Sequence, residues 1–187
     1  MTEILEIPEV RQRVSPLSVE EYHRLGEFNE NGRRTELIRG IVIEKMSKSP
    51  KHSSLSTRLY QKVLALLPDG YLARKEEPLT FRDSEPEPDI SVFVGEAKEF
   101  ETCHPRTADL VVEVAVSSAA LDRVNAALYA EAGVKEYWII LGVGQTVEVY
   151  REPLDARYRE MRIYRVGDEI VCASVPGISI PVAEIFG

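Results

Sequence analysis

The sequence predicts an α/β or α+β fold with a mixed β-sheet. Three observations carry that prediction: an amphipathic helix over 52–67, a second helical run over 118–132 closed by Gly133, and short apolar segments between turn residues around both. The order helix, strands, helix, strands places a sheet against helices. The run 110–116 (LVVEVAV) is apolar on both faces, as a strand at the centre of a covered sheet should be.

Each element has its own warrant. Residues 1–14 carry no long periodic pattern and read as an N-terminal arm. Ser18 precedes Glu21 at capping-box spacing and starts a short helix through Val19, Tyr22 and Leu25 toward Gly26. Residues 29–33 (NENGR) are turn material. Residues 36–44 read as two strands hinged at Gly40, followed by a Ser/Pro loop to Pro50. In the helix that follows, Leu55, Leu59, Val63, Leu66 and Leu67 fall on one face, and Pro68-Asp69-Gly70 ends it. Strands are expected over 71–75, 79–81, 90–94 and 110–116. After the second helix come 136–141, 146–150, 157–164 and 169–173, separated by Gly, Pro or Asp turns, a mostly antiparallel set. The aromatic-rich run Tyr137-Trp-Ile-Ile140, inside a strand, reads as core and not as a base-stacking platform. No internal repeat is evident.

A chain of 187 residues can bury about 70% of its unfolded surface in one core, so a single domain is expected. With 44% hydrophobic and 29% charged residues it reads as globular, and disordered, collagenous or coiled-coil classes are excluded. No apolar run approaches the roughly 20 residues of a membrane span, and the N-terminus lacks a signal peptide pattern, so the expected place is the cytoplasm, with no membrane partner. Cys103 and Cys172 lie far apart with no CxxC, which leaves oxygen or imidazole as the ligands of any metal.

The net charge of −8 argues against a nucleic-acid partner until its distribution is considered. Residues 33–75 carry ten Lys or Arg against three acids, while 76–187 carry 10 against 21. That basic stretch is either a solvated helix face or a local surface for phosphate.

Two carboxylates stand out. Glu113 interrupts an apolar strand, where an isolated charge would face a desolvation penalty of several kcal/mol. Asp89 stands at the mouth of the strand 90–94, behind the stiff approach Glu85-Pro-Glu-Pro. An arginine from a neighbouring strand would also satisfy Glu113, and Asp89 alone could be an ordinary turn aspartate. If their strands are neighbours, however, the two meet. Bare carboxylates about 4 Å apart repel by roughly 4 kcal/mol at an effective dielectric of 20. A divalent cation removes that cost, and oxygen ligands suit Mg²⁺ or Mn²⁺.

Six ordered motifs then resemble a known family. They are Glu36-Leu-Ile-Arg-Gly40, Ser49-Pro-Lys-His-Ser53, Glu85-Pro-Glu-Pro-Asp-Ile90, 108–114 (ADLVVEV), 128–140 (LYAEAGVKEYWII) and Glu148-Val-Tyr150. Together they resemble the Uma2 family of restriction-endonuclease-like proteins, which is similar to the PD-(D/E)xK nuclease superfamily. The resemblance covers about 15–152, leaving 153–187 as a C-terminal β extension to a single domain. It implies a restriction-endonuclease-like mixed sheet flanked by the two helices, and a Mg²⁺- or Mn²⁺-dependent endonuclease acting on DNA in preference to RNA. A homo-oligomer stays open.

Residue by residue, the resemblance implies that Asp89 and Glu113 bind the ion together with the carbonyl of Val114. Glu36 matches the acidic residue of the N-terminal motif. His52 matches the family's histidine in the first helical turn, and Lys48, Lys51, His52 and Arg58 would meet phosphate. The sequence departs from the superfamily where a lysine is expected two residues after Glu113, because Ala115 stands there. The family resembles a version whose lysine has moved to the next helix, in a D-R-x-x-K run. This chain has Asp122-Arg-Val-Asn125, with Asn125 near the expected lysine and Arg123 as the only nearby cation on that helix. The alternative implied by that departure is a catalytically silent nuclease fold that binds nucleic acid or a protein partner. A third reading is a hydrolase of a small phosphorylated molecule.

Overall fold

The computed structural model describes residues 7–26, 32–117 and 119–187, which form two compact units. Of the expected features, 1–6 of the arm, 29–31 of the turn and the first residue of the second helix, Ser118, lie outside the described residues.

The first unit comprises the described residues up to Met46 together with 82–86. Its elements are α1 (Pro8–Arg11), α2 (Val19–Gly26), β1 (Thr35–Ile38) and β2 (Ile41–Glu44). The capping box of α2 forms: the Glu21 amide donates to Ser18 Oγ at 3.2 Å, and Ser18 N donates back to Glu21 Oε2 at 2.8 Å. β1 and β2 make an antiparallel hairpin whose two-residue turn, Arg39-Gly40, has φ of 52° and 75°. A Cβ at Gly40 would stand 2.4 Å from Pro16 Cβ, so glycine is required there by both conformation and space. Within this unit Glu85 pairs with Leu37 through two backbone hydrogen bonds.

The second unit, Ser47–Phe81 with Glu87–Gly187, holds the main sheet. Its elements in order are α3 (Pro50–Leu66), β3 (Tyr71–Arg74), β4 (Ile90–Val94), a short 3₁₀ turn (Ala97–Phe100), β5 (Leu110–Ala115), α4 (Ala120–Glu131), β6 (Glu136–Leu141), β7 (Thr146–Leu154), β8 (Arg157–Arg165), β9 (Glu169–Val171), β10 (Ser179–Pro181) and α5 (Val182–Phe186). Strands β3 to β8 lie side by side in chain order. Only the β5–β6 pair is parallel, with α4 as its crossover, and the other pairs are antiparallel. β9 and β10 form a separate two-stranded sheet.

Alternation along β5 builds two cores. Leu110, Val112 and Val114 pack with Leu55, Leu59 and Val63 of α3, whereas Val111 and Ala115 pack with Tyr129 of α4, Tyr137 and Ile139. The main sheet is therefore covered on both faces, and that is why β5 is apolar at every position but one. α3 starts cleanly because Ser49 Oγ accepts from His52 N at 3.2 Å and Pro50 occupies the first turn. Buried Glu136 is fully served: it accepts from Trp138 Nε1, the Arg151 guanidinium and the amides of Ala173 and Ser174. That carboxylate is structural.

Three details differ from the sequence-based expectations. Residues 79–81 are not a strand: Leu79 is fully buried as an isolated anchor, and the approach bends at Glu76, whose φ is 57°. β7 runs on to Leu154 and pairs with β8 through a two-residue turn in which Asp155 and Ala156 have φ of 50° and 57°. β10, α5 and the four-residue α1 inside the arm have no counterpart among the expected elements. Among the described residues, no helix is long and apolar enough to cross a membrane.

Candidate metal and phosphate site

The sheet itself brings the two singled-out carboxylates together. β4 and β5 pair from Val92↔Leu110 to Ile90↔Val112 and no further, while β5 continues against β6 to Ala115. Asp89 is thus the residue just before the paired stretch and Glu113 the residue just after it. They face each other where β4 leaves β5. The Asp89 amide donates to Glu113 Oε2 at 3.2 Å, and the Val114 amide donates to Asp89 Oδ2 at 2.8 Å. Val114 therefore meets Asp89 through its amide and not through the carbonyl expected as a ligand.

Both helices reach this notch. From α3, His52 Nε2 lies 3.0 Å from Asp89 Oδ2, which assigns the ring hydrogen to Nε2. From the loop before α3, the Lys48 ammonium donates to Asp89 Oδ1 at 2.7 Å and stands 3.1 Å from Glu76 Oε1. From α4, Tyr129 OH donates to Glu113 Oε1 at 2.9 Å. Burial of Asp89 would raise its carboxyl, but the His52 hydrogen bond and the Lys48 charge outweigh burial and hold it below the usual aspartate range. Lys48 shows the converse. Burial would lower it, and the Asp89 charge and hydrogen bond raise it instead. Asp89 is consequently an ionised carboxylate at neutral pH.

These donors fit a Mg²⁺-type ion. The side chains offered are carboxylates, two of them adjacent at the end of neighbouring strands. Among the described residues no cluster of three or more His, Cys, Asp or Glu forms a closed ligand cage. Mg²⁺ is normally held by one or two carboxylates and completes its shell with water and substrate phosphate.

The other expected site residues are placed as follows. Glu36, on β1 of the first unit, has its carboxylate 3.8 Å from Lys45 Nζ. Arg123 grips Glu148 on β7, from Nε at 3.1 and 3.2 Å and from Nη2 at 2.6 Å. Asn125 is buried one helical turn before Tyr129, and its Oδ1 meets no partner among the described residues. Lys51 donates to the Gly142 carbonyl at 2.8 Å, and Arg58 donates to the Ile185 carbonyl at 3.1 Å. Each keeps further donors for phosphate.

Three partners in this arrangement escaped the sequence. Tyr129 could have been found, since it lies at i+4 from Asn125 on the face expected to hold the lysine. Glu76 and the placement of Lys48 on Asp89 carry no periodic signal, because both arrive from irregular segments.

Comparison with known proteins agrees with this fold. The family model Uma2, described as "Putative restriction endonuclease", matches residues 19–183. A crystal structure described as "a putative nuclease belonging to DUF820" from Anabaena variabilis ATCC 29413 superimposes with a TM-score of 0.77 and 23% identity, over 91% of this chain and 98% of that chain. No curated protein matches the chain.

Proposed function

This chain belongs to the Uma2 family of restriction-endonuclease-like proteins, and from that membership we propose that it hydrolyses phosphodiester bonds of DNA at Asp89 and Glu113 with the help of Mg²⁺ or Mn²⁺. The observation that supports this reading most is that Asp89 and Glu113 flank the point where β4 leaves β5, with the Asp89 amide on the Glu113 carboxylate and the Val114 amide on the Asp89 carboxylate. A bound divalent ion would supply a Lewis acid for a phosphoryl oxygen and lower the pKa of a water. The protein's part is to hold and orient. Asp89 stays ionised because His52 and Lys48 favour its charged form. The Val114 amide fixes Oδ2, and the Tyr129 hydroxyl fixes Glu113.

Lys51 and Arg58 share one face of α3, about 100° round the helix from His52, and would offer positive charge to a nucleic-acid backbone that runs along that helix. DNA in preference to RNA and action in the cytoplasm are part of this proposal.

The test is conversion of supercoiled plasmid to nicked and linear forms in Mg²⁺ or Mn²⁺, with single-stranded DNA in parallel. The reading expects cleavage by the wild type that Asp89→Asn and Glu113→Gln each reduce by at least about 10²-fold. Ion binding without cleavage of either substrate would instead favour a silent nuclease fold.

A further inference from the structure

We propose that Lys48 is the catalytic cation that meets the scissile phosphate, held in place by Asp89 and Glu76 and taking over the role for which neither Asn125 nor Arg123 is available. The inference rests on the phosphodiesterase reading of the Asp89 and Glu113 site. Three observations lead to it.

The first is competition for positive charge. Arg123 pairs by a bidentate fork with Glu148 on β7, which is not an expected metal carboxylate, and residue 125 is a neutral amide. The cation that does contact an expected metal carboxylate is Lys48, 2.7 Å from Asp89 Oδ1.

The second is which oxygen it contacts. Asp89 Oδ2 already faces His52 Nε2 and the Val114 amide, so Oδ1 is the oxygen turned toward Lys48. A group bound at Oδ1 would have the ammonium beside it. An ammonium there forms no covalent bond and gives up no proton. It donates a hydrogen bond to a non-bridging phosphoryl oxygen as negative charge grows on it.

The third is the support of Lys48. Glu76 stands 3.1 Å from the ammonium, and its own amide lies 3.1 and 3.3 Å from the carbonyls of Pro88 and Asp89. The left-handed backbone of Glu76, with φ of 57°, makes that turn back toward Asp89. The two carboxylates that hold Lys48 are thus tied to one another through the main chain. Asp89, Glu113, Glu76 and Lys48 carry a formal net charge of −2, which matches one divalent ion without requiring Lys48 to leave. Glu76 is a positioning residue in this account.

The experiment uses Lys48→Gln in the full chain with three readouts. Mn²⁺ affinity is measured by calorimetry. Affinity for a short DNA duplex is measured in Ca²⁺, and cleavage is measured at saturating Mn²⁺. Lys48→Gln is expected to leave Mn²⁺ affinity unchanged or tighter, to weaken duplex binding by about tenfold with a salt slope shallower by about one, and to lower cleavage by about 10²–10³-fold. Glu76→Gln should lower cleavage less, and the double variant should be no worse than Lys48→Gln alone, the non-additivity of two groups acting as one.

Cleavage and duplex affinity equal to wild type in Lys48→Gln would overturn the proposal and leave the phosphodiesterase reading standing. Weakened Mn²⁺ affinity would also overturn it, by making Lys48 a structural support of the carboxylates. A wild type that binds duplex in a Lys48-dependent way but never cuts would sink the hydrolase reading and keep the phosphate contact. A wild type that neither binds nor cuts would end both. Simple addition of the two losses in the double variant would remove Glu76 from the account.

Discussion

Arg123 and Glu148 form a forked ion pair across α4 and β7, with Nη2 to Oε1 at 2.6 Å and Nε within 3.2 Å of both carboxylate oxygens. Tyr150 adds its hydroxyl to Glu148 Oε2 at 2.8 Å. The Arg123 hydrogen bond, followed by that of Tyr150, outweighs burial and holds the Glu148 carboxyl below the usual glutamate range. A guanidinium so occupied fastens the helix to the sheet.

Arg123→Ala should therefore lower Tm by a few degrees at pH 7 while changing cleavage by less than about threefold. The pH dependence has a definite sign. Because the folded pKa of Glu148 is depressed, its contribution is fully present above the unfolded value of about 4.3 and is lost as pH falls through the lower folded value. The Tm gap between wild type and Arg123→Ala should thus be full at pH 7 and shrink progressively as pH falls below about 4.3. A gap that persists unchanged into acid would place the effect elsewhere.

Asn125 lies on the buried face of α4, one turn before the tyrosine that touches Glu113. A lysine there would share the helix face of that tyrosine. In a Lys48→Gln background, Asn125→Lys should recover at least about tenfold in cleavage with Mn²⁺ affinity unchanged. Ala126→Lys points about 100° away round the helix and should recover nothing. Equal behaviour of the two variants in a plasmid assay would show that the face of α4 does not matter.

The Tyr129 hydroxyl is a donor to a carboxylate on a covered strand. Tyr129→Phe keeps the ring and removes the hydroxyl that donates to the half-buried Glu113, so it should cost about 1 kcal/mol of stability, the usual worth of one such hydrogen bond. Urea denaturation should show a lower midpoint with an unchanged slope. A midpoint equal to wild type would mean that solvent replaces the hydroxyl without loss.

The two cysteines should behave differently. Cys103 is exposed, whereas burial, followed by the Glu136 charge, pushes the Cys172 thiol up to about 11. An aromatic disulfide reagent at pH 8 should titrate one thiol per chain rapidly and the second only on unfolding. Two fast equivalents in the native protein would contradict the packing around Cys172.

Much of this site was legible because a charge in an apolar strand is conspicuous. Glu113 needed company, and the proline-stiffened approach put Asp89 at the start of a strand that could supply it. The helix expected over 52–67 is equally plain from its leucine stripe, although it starts two residues earlier, at Pro50, behind the Ser49 cap. Legibility ended where the chain is irregular. Leu79 to Phe81 looked like a strand by composition, yet Leu79 only plugs the core between bends. Glu76 reaches Lys48 through a left-handed residue, a conformation that a glutamate does not announce. β10 and α5, three and five residues long, are too short for periodicity to speak. Lys48 read as one member of a basic stretch, and only the folded chain shows which carboxylate it chose.

The most direct test is calorimetric titration of Mn²⁺ into the wild type, Asp89→Asn and Glu113→Gln. If these carboxylates hold one ion between them, the wild type binds about one Mn²⁺ per chain at this site, and each substitution weakens that binding by at least about tenfold while the fold, read by circular dichroism, is kept. Unchanged Mn²⁺ affinity in both folded variants would contradict the account.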